Sequence, residues 1–378
     1  MTSSESGLSE TSPYAFARHT ETLVPKLLAV QILRGLAALS VAALHAQADA
    51  AALAASRGEA WVPSVGLPWG AGVDVFFVIS GFIMVHASSA LFGQPRVRGL
   101  FLSRRLARIV PLYWAVTTLY LAVALVAPGL LNSEVLEPWP ILASYLFIPF
   151  ERPDGTVQPL YTLGWTLNYE MFFYGLFAIA IAWPYRRAIF ILSAALLVLV
   201  AAGSAFRLPL PFAFWTAPIL LEFAFGLGLA HLRLRGHALG RAAQALLAVA
   251  GLAMLTLDLT RPDGFLLAPR ALAWGIPATL LVAAASLGRG EPAPKNRAIR
   301  LGVAVGDASY ALYLLHPFAI RGIRALVGAS GLGAVLGPAA FIVLSLAGAI
   351  LVALAAHWLF ERPATGWMRR RLVSLGAA

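Results

Sequence analysis

The sequence predicts an all-α, polytopic integral membrane protein with about ten transmembrane helices. Of its 378 residues, 60% are hydrophobic and only 12% are charged, which is not the composition of a soluble domain. A helix needs about 20 mostly apolar residues to cross a bilayer. Ten such runs follow one another, at residues 27–48, 71–92, 109–127, 164–183, 187–203, 213–232, 241–258, 269–287, 304–326 and 336–360.

These runs form one membrane domain at residues 27–362, with a polar N-terminal segment at 1–26 and a basic tail at 363–378. The polar start shows no cleavable signal peptide, so we expect the first run to be retained as a helix. The chain has no cysteine, which excludes disulfides, thiolate metal sites and a cysteine nucleophile. No metal-binding or nucleotide-loop motif occurs. We therefore predict no metal site and no bound cofactor.

The basic residues predict the orientation of the helices. The N-terminal segment, alternate loops and the tail together hold 19 Lys and Arg residues, whereas the other loops hold only Arg57, Arg152, Arg207 and Arg261. Because loops rich in Lys and Arg stay in the cytoplasm, we expect both termini there. The even number of spans agrees with this. The net charge of +11 is then a consequence of topology, and we expect no nucleic-acid partner.

The longest loop on the opposite side runs from about residue 128 to residue 163 and is rich in proline and acidic residues. Its length is typical of functional loops. The apolar stretch ILASYLFIPF within it leaves two interpretations open, a segment that dips toward the bilayer and a plain connector. The glycine-rich GLGAVLG at 331–337 lacks the context of a phosphate loop, and we interpret it as a tight turn between the last two spans.

Arg34 and His45 lie within the first apolar run, eleven residues apart. That spacing is close to three helical turns, so both side chains leave the helix on nearly the same face, about 16 Å apart along its axis. Ionisable groups at membrane depth are costly and indicate a functional site by default. The alternative is that Arg34 snorkels and His45 lies at the interface. For a pair on one face we favour function.

Two carboxylates are predicted at about the depth of His45. Asp74 lies near the start of the second span, in GAGVDVFFVISGFIM, and Glu170 lies in the first two turns of the fourth, in GWTLNYEMFFYGLF. An acid beside a histidine fixes its tautomer and stabilises its protonated form, as general-base catalysis requires. The alternative for each acid is a favourable position near a helix N-terminus, which is a serious alternative for Asp74.

A cluster of arginines precedes the third span, in the stretch SRRLARIVPLYW. Arg105 and Arg108 are three residues apart and therefore neighbours on one helical face. Guanidinium groups bind phosphate in bidentate fashion, although arginines at cytoplasmic helix ends also serve as ordinary topological anchors. His316 lies mid-span before Pro317, which frees a backbone carbonyl; we expect a structural polar contact there.

Taken together, these motifs resemble the membrane acyltransferase-3 family. The resemblance covers residues 31–363 through RGLAALSVAALHA, GVDVFFVISGFIM, SRRLARIVPLYW, GWTLNYEMFFY, GDASYALYLLHP and FERP. It matches Arg34 and His45 to the arginine and histidine of the family's first helix. It likewise matches Arg105 and Arg108 to the paired arginines before its third helix, and Glu170 to its acidic position after an aromatic-Thr/Ser-Leu motif.

The resemblance implies transfer of an acetyl or other short acyl group from cytoplasmic acyl-CoA to a hydroxyl of an extracytoplasmic carbohydrate. The expected co-substrate is acetyl-CoA, and the expected acceptor is an exopolysaccharide, a lipopolysaccharide or a related glycan. The expected location is the lipid bilayer of a bacterial inner membrane. His45 is implied as the catalytic residue, and whether it is transiently acylated stays open.

In this interpretation Arg34, Arg105 and Arg108 bind the donor, and Glu170 or Asp74 orients His45. Two other classes stay open. One is a proton-coupled transporter or flippase for an envelope precursor, because buried ionisable groups also form proton relays. The other is a non-catalytic subunit of a polysaccharide assembly complex.

Overall fold

The computed structural model describes residues 26–63, 68–126, 137–257, 269–290, 296–331 and 336–375. Most of the predicted N-terminal segment, the first part of the long loop and the centre of the predicted turn at 331–337 lie outside these ranges. Within them the protein is helical, and the β pairing consists of two isolated bridges, Glu151 with Val157 and Leu239 with Gly288. The predicted all-α class is confirmed for this part of the chain.

The helices follow the predicted apolar runs. In chain order they are α1 (Leu28–Ala55), α2 (Gly72–Ala87), α3 (Val97–Val126), α4 (Pro138–Tyr145), α5 (Trp165–Ala180), α6 (Tyr185–Ala205), α7 (Phe212–Trp215), α8 (Leu220–Leu234), α9 (Arg241–Thr256), α10 (Ile276–Ser286), α11 (Arg297–Asp307), α12 (Ser309–Ala329), α13 (Pro338–Ala356) and α14 (Arg362–Leu375). A π-helical turn at Ala271–Gly275 leads into α10, and a second at His357–Glu361 joins α13 to α14.

Fewer helices than predicted are long and apolar enough to cross a membrane alone. Six qualify in the described ranges, namely Leu28–Ala55, Trp69–Ala87, Val97–Val126, Tyr185–Ala205, Phe212–Leu234 and Pro338–Leu372. A seventh is added if α11 and α12, which meet at 77°, form one broken span. The stretches Arg241–Thr256 and Ala271–Ser286 are apolar but shorter, and α5 has 16 residues. The protein is therefore multi-pass, and the count of about ten stays a prediction.

The helix α2 lies at the centre of the bundle, the most buried of the six candidate spans. Its crossing with α8 depends on two glycines, because a Cβ on Gly81 would collide with the carbonyl oxygen of Phe223, and one on Gly226 with that of Val78. Small residues let helix backbones approach closely inside a membrane. This close crossing fixes which face of α2 is turned toward α8.

The helix α1 packs against α2, α11, α12 and α13. A Cβ on Gly72 of α2 would collide with the carbonyl oxygen of Ala37, and a Cβ on Gly306 of α11 with that of Gln31. The bend between α11 and α12 follows directly after Gly306. The start of α1 therefore lies against α11, and α12, which follows the bend, also packs against α1.

The apolar stretch in the long loop is built onto the bundle. It lies in α4 and the turn after it, and α4 packs against α3 through hydrogen bonds from the Tyr113 hydroxyl to the Ser144 carbonyl (3.1 Å) and from the Trp114 indole to the Tyr145 carbonyl (3.0 Å). The Ser144 hydroxyl accepts a further bond from the backbone of Leu160 (2.7 Å). At the other end of the chain, most of the predicted basic tail forms α14, which packs against α3.

Candidate active site

Four of the six predicted site residues meet in one cavity. Arg34 of α1, Arg105 and Arg108 of α3 and Glu170 of α5 all line a cavity of about 90 Å³, together with residues of α2 and α12. The two arginines of α3 are one turn apart, as their spacing predicts. The helix α3 starts at Val97, well before the apolar run at 109–127, and this extension carries both arginines into the bundle.

The cavity holds more positive than negative charge. The Glu170 carboxylate accepts hydrogen bonds from the hydroxyls of Tyr174 (2.5 Å) and Ser80 (3.1 Å), and Arg34 donates to the side chain of Gln31 (3.3 Å). Within the described ranges, neither Arg105 nor Arg108 has a hydrogen bond or an ion pair, although the guanidinium of Arg105 lies 5.6 Å from the ring centre of Phe101.

Three guanidinium groups therefore face one carboxylate in a setting where unpaired charge is expensive. The Ser309 hydroxyl, in the same wall, is buried and has no hydrogen-bond partner among the described residues. Donors without acceptors around a cavity are suited to an anionic, oxygen-rich ligand, because phosphate and carboxylate groups supply acceptors only.

His45 is paired with a second histidine. Its Nδ1 atom lies 3.0 Å from the Nε2 atom of His316 on α12, and 3.0 Å from the carbonyl oxygen of Val41. The Nδ1 atom of His316 lies 3.1 Å from the carbonyl oxygen of Leu312. His316 is fully buried, and the two ring centres are 4.9 Å apart. His316 makes polar contacts, as expected, but its contact with His45 could not be read from spacing because the two lie on different helices.

Neither predicted carboxylate contacts His45. Glu170 lies in the arginine cavity, and Asp74 is fully buried in a bidentate ion pair with Arg270, at 2.9 Å to Nε and 2.8 Å to Nη2. The expectation that Asp74 or Glu170 orients His45 is therefore wrong in this structure. Successive helical residues point about 100° apart. Val73 of α2 lines the cavity, whereas Asp74 is turned away from it.

The surroundings of Asp74 include two ionisable residues that the sequence analysis missed. Arg270 lies 4.6 Å from the ring centre of Trp274 and 5.7 Å from that of Trp165. Glu222 of α8 is fully buried and interacts electrostatically with Asp74. Both lie inside predicted apolar runs. Because ionisable residues at that depth need partners, their positions in the sequence were the signal that could have identified them. The cluster ties α2, α8 and the start of the α10 segment together.

Tyr313 of α12 separates the cavity from the histidine pair. Its side chain lines the cavity, and its ring centre lies 6.3 Å from that of His316. The Tyr313 hydroxyl donates to the carbonyl of Leu163 (3.2 Å) and accepts from the hydroxyl of Thr166 (3.2 Å). The arginine cavity and the histidine pair are thus successive polar layers along the face of α1 that carries Arg34 and His45.

Comparison with known proteins identifies the family of this chain. A family model described as an acyltransferase domain matches residues 27–358, which include both the arginine cavity and the histidine pair. The chain belongs to the acyltransferase-3 family. It is 36% identical over 314 residues to the exopolysaccharide production protein ExoZ of Rhizobium meliloti (strain 1021), an alignment that covers 82% of this chain and 93% of ExoZ. No solved structure matches the chain. The family resemblance is confirmed, and the protein is an O-acyltransferase.

The Asp74 ion pair gives a test of whether this residue is structural or catalytic. We expect Asp74→Asn to reduce the free energy of unfolding of the acyltransferase by about 2 kcal/mol, since a charged hydrogen-bonded pair is lost. Its turnover per folded molecule should stay near that of the wild type. Thermal unfolding in lipid nanodiscs and acyl transfer by the same samples measure both quantities. Arg270→Met serves as the matched partner variant, and the double variant Asp74→Leu/Arg270→Met should recover stability.

A different pattern would contradict this structural role. If Asp74→Asn protein unfolds at the wild-type temperature but has lost turnover, Asp74 takes part in catalysis despite its distance from His45.

Proposed function

We propose that this acyltransferase moves an acetyl or other short acyl group from cytoplasmic acyl-CoA to a hydroxyl group of an extracytoplasmic carbohydrate, and that the acceptor is an exopolysaccharide. The single observation that supports an anionic donor is the cavity that Arg34, Arg105 and Arg108 line, with Glu170 as the one carboxylate among its described lining residues. The acceptor class rests on the similarity to ExoZ, whose name assigns it to exopolysaccharide production.

The arginine cavity is the proposed donor site. At about 90 Å³ it has room for a few water-sized groups, so it would hold a phosphate group or the end of the pantetheine arm rather than a whole CoA molecule. Arg105 and Arg108 would bind phosphate oxygens, and the Ser309 hydroxyl would supply another hydrogen bond. Glu170 interacts electrostatically with Arg34 and Arg105. Its proposed role is to hold these guanidinium groups in place.

The positive-inside rule supplies the proposed orientation. With 19 basic residues on one side and 4 on the other, both termini and the arginine cavity would face the cytoplasm of a bacterial inner membrane. His45 would then lie in the outer half of the bilayer, about 16 Å farther along α1. A soluble donor and an external acceptor would reach one polar path from opposite ends.

His45 is the proposed general base. The acceptor hydroxyl would attack the thioester carbonyl carbon while its proton passes to the imidazole. The new C–O ester bond forms, the C–S bond breaks, and CoA leaves as a thiolate that takes the proton from the His45 imidazolium, which returns His45 to its neutral form. The products are the acylated sugar and free CoA. The Tyr313 side chain borders both layers, so the acyl group would pass it on the way to His45.

Replacing the two α3 arginines tests the donor site. We expect Arg105→Lys and Arg108→Lys to raise the KM for acyl-CoA by about 10-fold or more, because lysine keeps the charge but loses the planar pair of donors that binds phosphate. The measurement is the initial rate of acyl transfer by purified protein in lipid, as donor concentration is varied. Arg98→Lys is the matched control, since Arg98 lies on the same helix but is exposed. Unchanged donor kinetics in the double variant would make both arginines topological anchors.

Replacing His45 tests the catalytic half. We expect His45→Gln to lower turnover by about 10² to 10⁴-fold, the usual contribution of a general base, while the affinity for acyl-CoA stays unchanged. Glutamine keeps a hydrogen-bonding side chain but takes up no proton near neutral pH. Single-turnover transfer and direct donor binding measure the two effects. His237→Gln, at an exposed position, is the control. A stable His45→Gln enzyme with wild-type turnover would rule out this mechanism.

A further inference from the structure

We propose that His316 is a positioning residue that fixes His45 in the tautomer with a proton on Nδ1, so that Nε2 of His45 is the atom that accepts the substrate proton. The inference rests on the proposed role of His45 as the base. His316 would thereby take the part in which an acid was expected.

The geometry places the proton of neutral His45 on its Nδ1 atom. Its Nδ1 atom lies 3.0 Å from the carbonyl oxygen of Val41 and 3.0 Å from Nε2 of His316. A carbonyl oxygen only accepts hydrogen bonds. The Nδ1 atom of His45 must therefore carry a proton to bond Val41, and a neutral imidazole carries no other. Its Nε2 atom is then left with a free lone pair.

The geometry also places the proton of neutral His316 on its Nδ1 atom. Its Nδ1 atom lies 3.1 Å from the carbonyl oxygen of Leu312, so the same argument places its proton on Nδ1. The Nε2 atom of neutral His316 is then an acceptor, and it faces the Nδ1–H group of His45. The two assignments are mutually consistent, because the single Nδ1–H of His45 is shared between the Val41 carbonyl oxygen and Nε2 of His316, and no two N–H groups or lone pairs face each other.

The alternative proton placements leave unfavourable contacts. A proton on Nε2 of His316 would point at the proton on Nδ1 of His45, only 3.0 Å away between nitrogens. A proton on Nε2 of His45 instead would turn its Nδ1 lone pair toward the Val41 carbonyl oxygen and the Nε2 lone pair of His316. Inside a protein such unmatched polar contacts are costly, so the arrangement selects one tautomer of His45.

His316 lies in a buried part of α12, directly before a proline. It is fully buried, and it is followed by Pro317 inside α12. Proline lacks the N–H that would bond the carbonyl four residues earlier, so the carbonyl of Tyr313, one turn before, is left without a helical donor.

The same arrangement stabilises the charge that forms during transfer. When Nε2 of His45 takes up the substrate proton, the ring becomes an imidazolium. Its bonds to His316 and Val41 then become charge-assisted and stronger. A neutral imidazole thus orients the base and accepts from it, as the carboxylate does in an Asp-His pair.

Two conservative variants separate this role from simple packing. The amide of His316→Gln can reach the position of Nε2 and accept from His45, whereas the shorter amide of His316→Asn cannot. We expect Gln to keep much of the wild-type turnover. Asn and His316→Leu should lower kcat by about 10-fold or more, with an upper limit near the ~10⁴-fold loss caused by a wrong imidazole tautomer in a triad. The KM for acyl-CoA should stay constant in all three, with melting temperatures measured for each.

The tautomer itself is measured by ¹⁵N NMR of histidine-labelled protein in nanodiscs without substrate, with the His45 signals identified by their loss in His45→Gln. The wild type and His316→Gln should show a protonated Nδ1 and an unprotonated Nε2 on His45. In His316→Asn the Nε2–H tautomer of His45 should rise. A wild-type His45 protonated on Nε2 would overturn the inference, and so would equal kcat in the Gln and Asn variants.

The NMR readout does not depend on the proposed function, whereas the kcat readout does. If His45→Gln retains turnover, the catalytic role of His45 fails, while the NMR spectra still show whether His316 sets its tautomer. If His316→Leu does not fold, the comparison of Gln with Asn decides the question alone.

Discussion

Ionisable groups inside an apolar helix bundle need hydrogen-bond or charge partners. The contacts that supply these partners determine how the site of this protein is arranged. Asp74 and Arg270 form a closed ion pair. The imidazoles of His45 and His316 are hydrogen-bonded to each other. The arginine cavity is different, because Glu170 is bonded by hydroxyls and the guanidinium groups of Arg105 and Arg108 have no such partner among the described residues. The cavity is therefore where binding of an anion has the most to contribute.

Close helix crossings put these groups where they are. Gly306 allows α11 to touch α1 near Arg34, and the 77° bend that follows lets α12 run beside the rest of α1, where His316 meets His45. A bulkier residue at this crossing would push the two helices apart and separate the histidines. The close approach of helix backbones at glycine thus helps to determine which side chains meet in the site. Gly306 of α11 therefore has a functional role as well as a structural one.

The sequence was informative where a site lies on one helix or at one helix end. The shared face of Arg34 and His45 and the neighbouring positions of Arg105 and Arg108 follow from helical spacing alone, and all three arginines line one cavity. Contacts between helices distant in sequence were not predictable in this way. The direction in which Asp74 points depends on the rotation of α2, which the glycine crossing with α8 sets. The partnership of His45 with His316 depends on the packing of α12 against α1.

The number of spans shows the same limit. A hydropathy window does not detect a change of direction, so the predicted run at 304–326 includes the last turn of α11 and most of α12 although the chain bends between them. Short helices such as α9, with 16 residues, are apolar but shorter than a usual span. Composition therefore predicts the class of the protein well and its exact number of crossings less well.

In the proposed mechanism, donor and acceptor reach one polar path from opposite sides of the membrane. Sealed, inside-out vesicles containing the acyltransferase test it directly, with oligosaccharide of the cell's own exopolysaccharide trapped inside and acyl-labelled acyl-CoA added outside. We expect label to appear on the enclosed sugar, and right-side-out vesicles with the same additions to show none. Labelling that occurs only when acyl-CoA and sugar are on the same side of the membrane would contradict it.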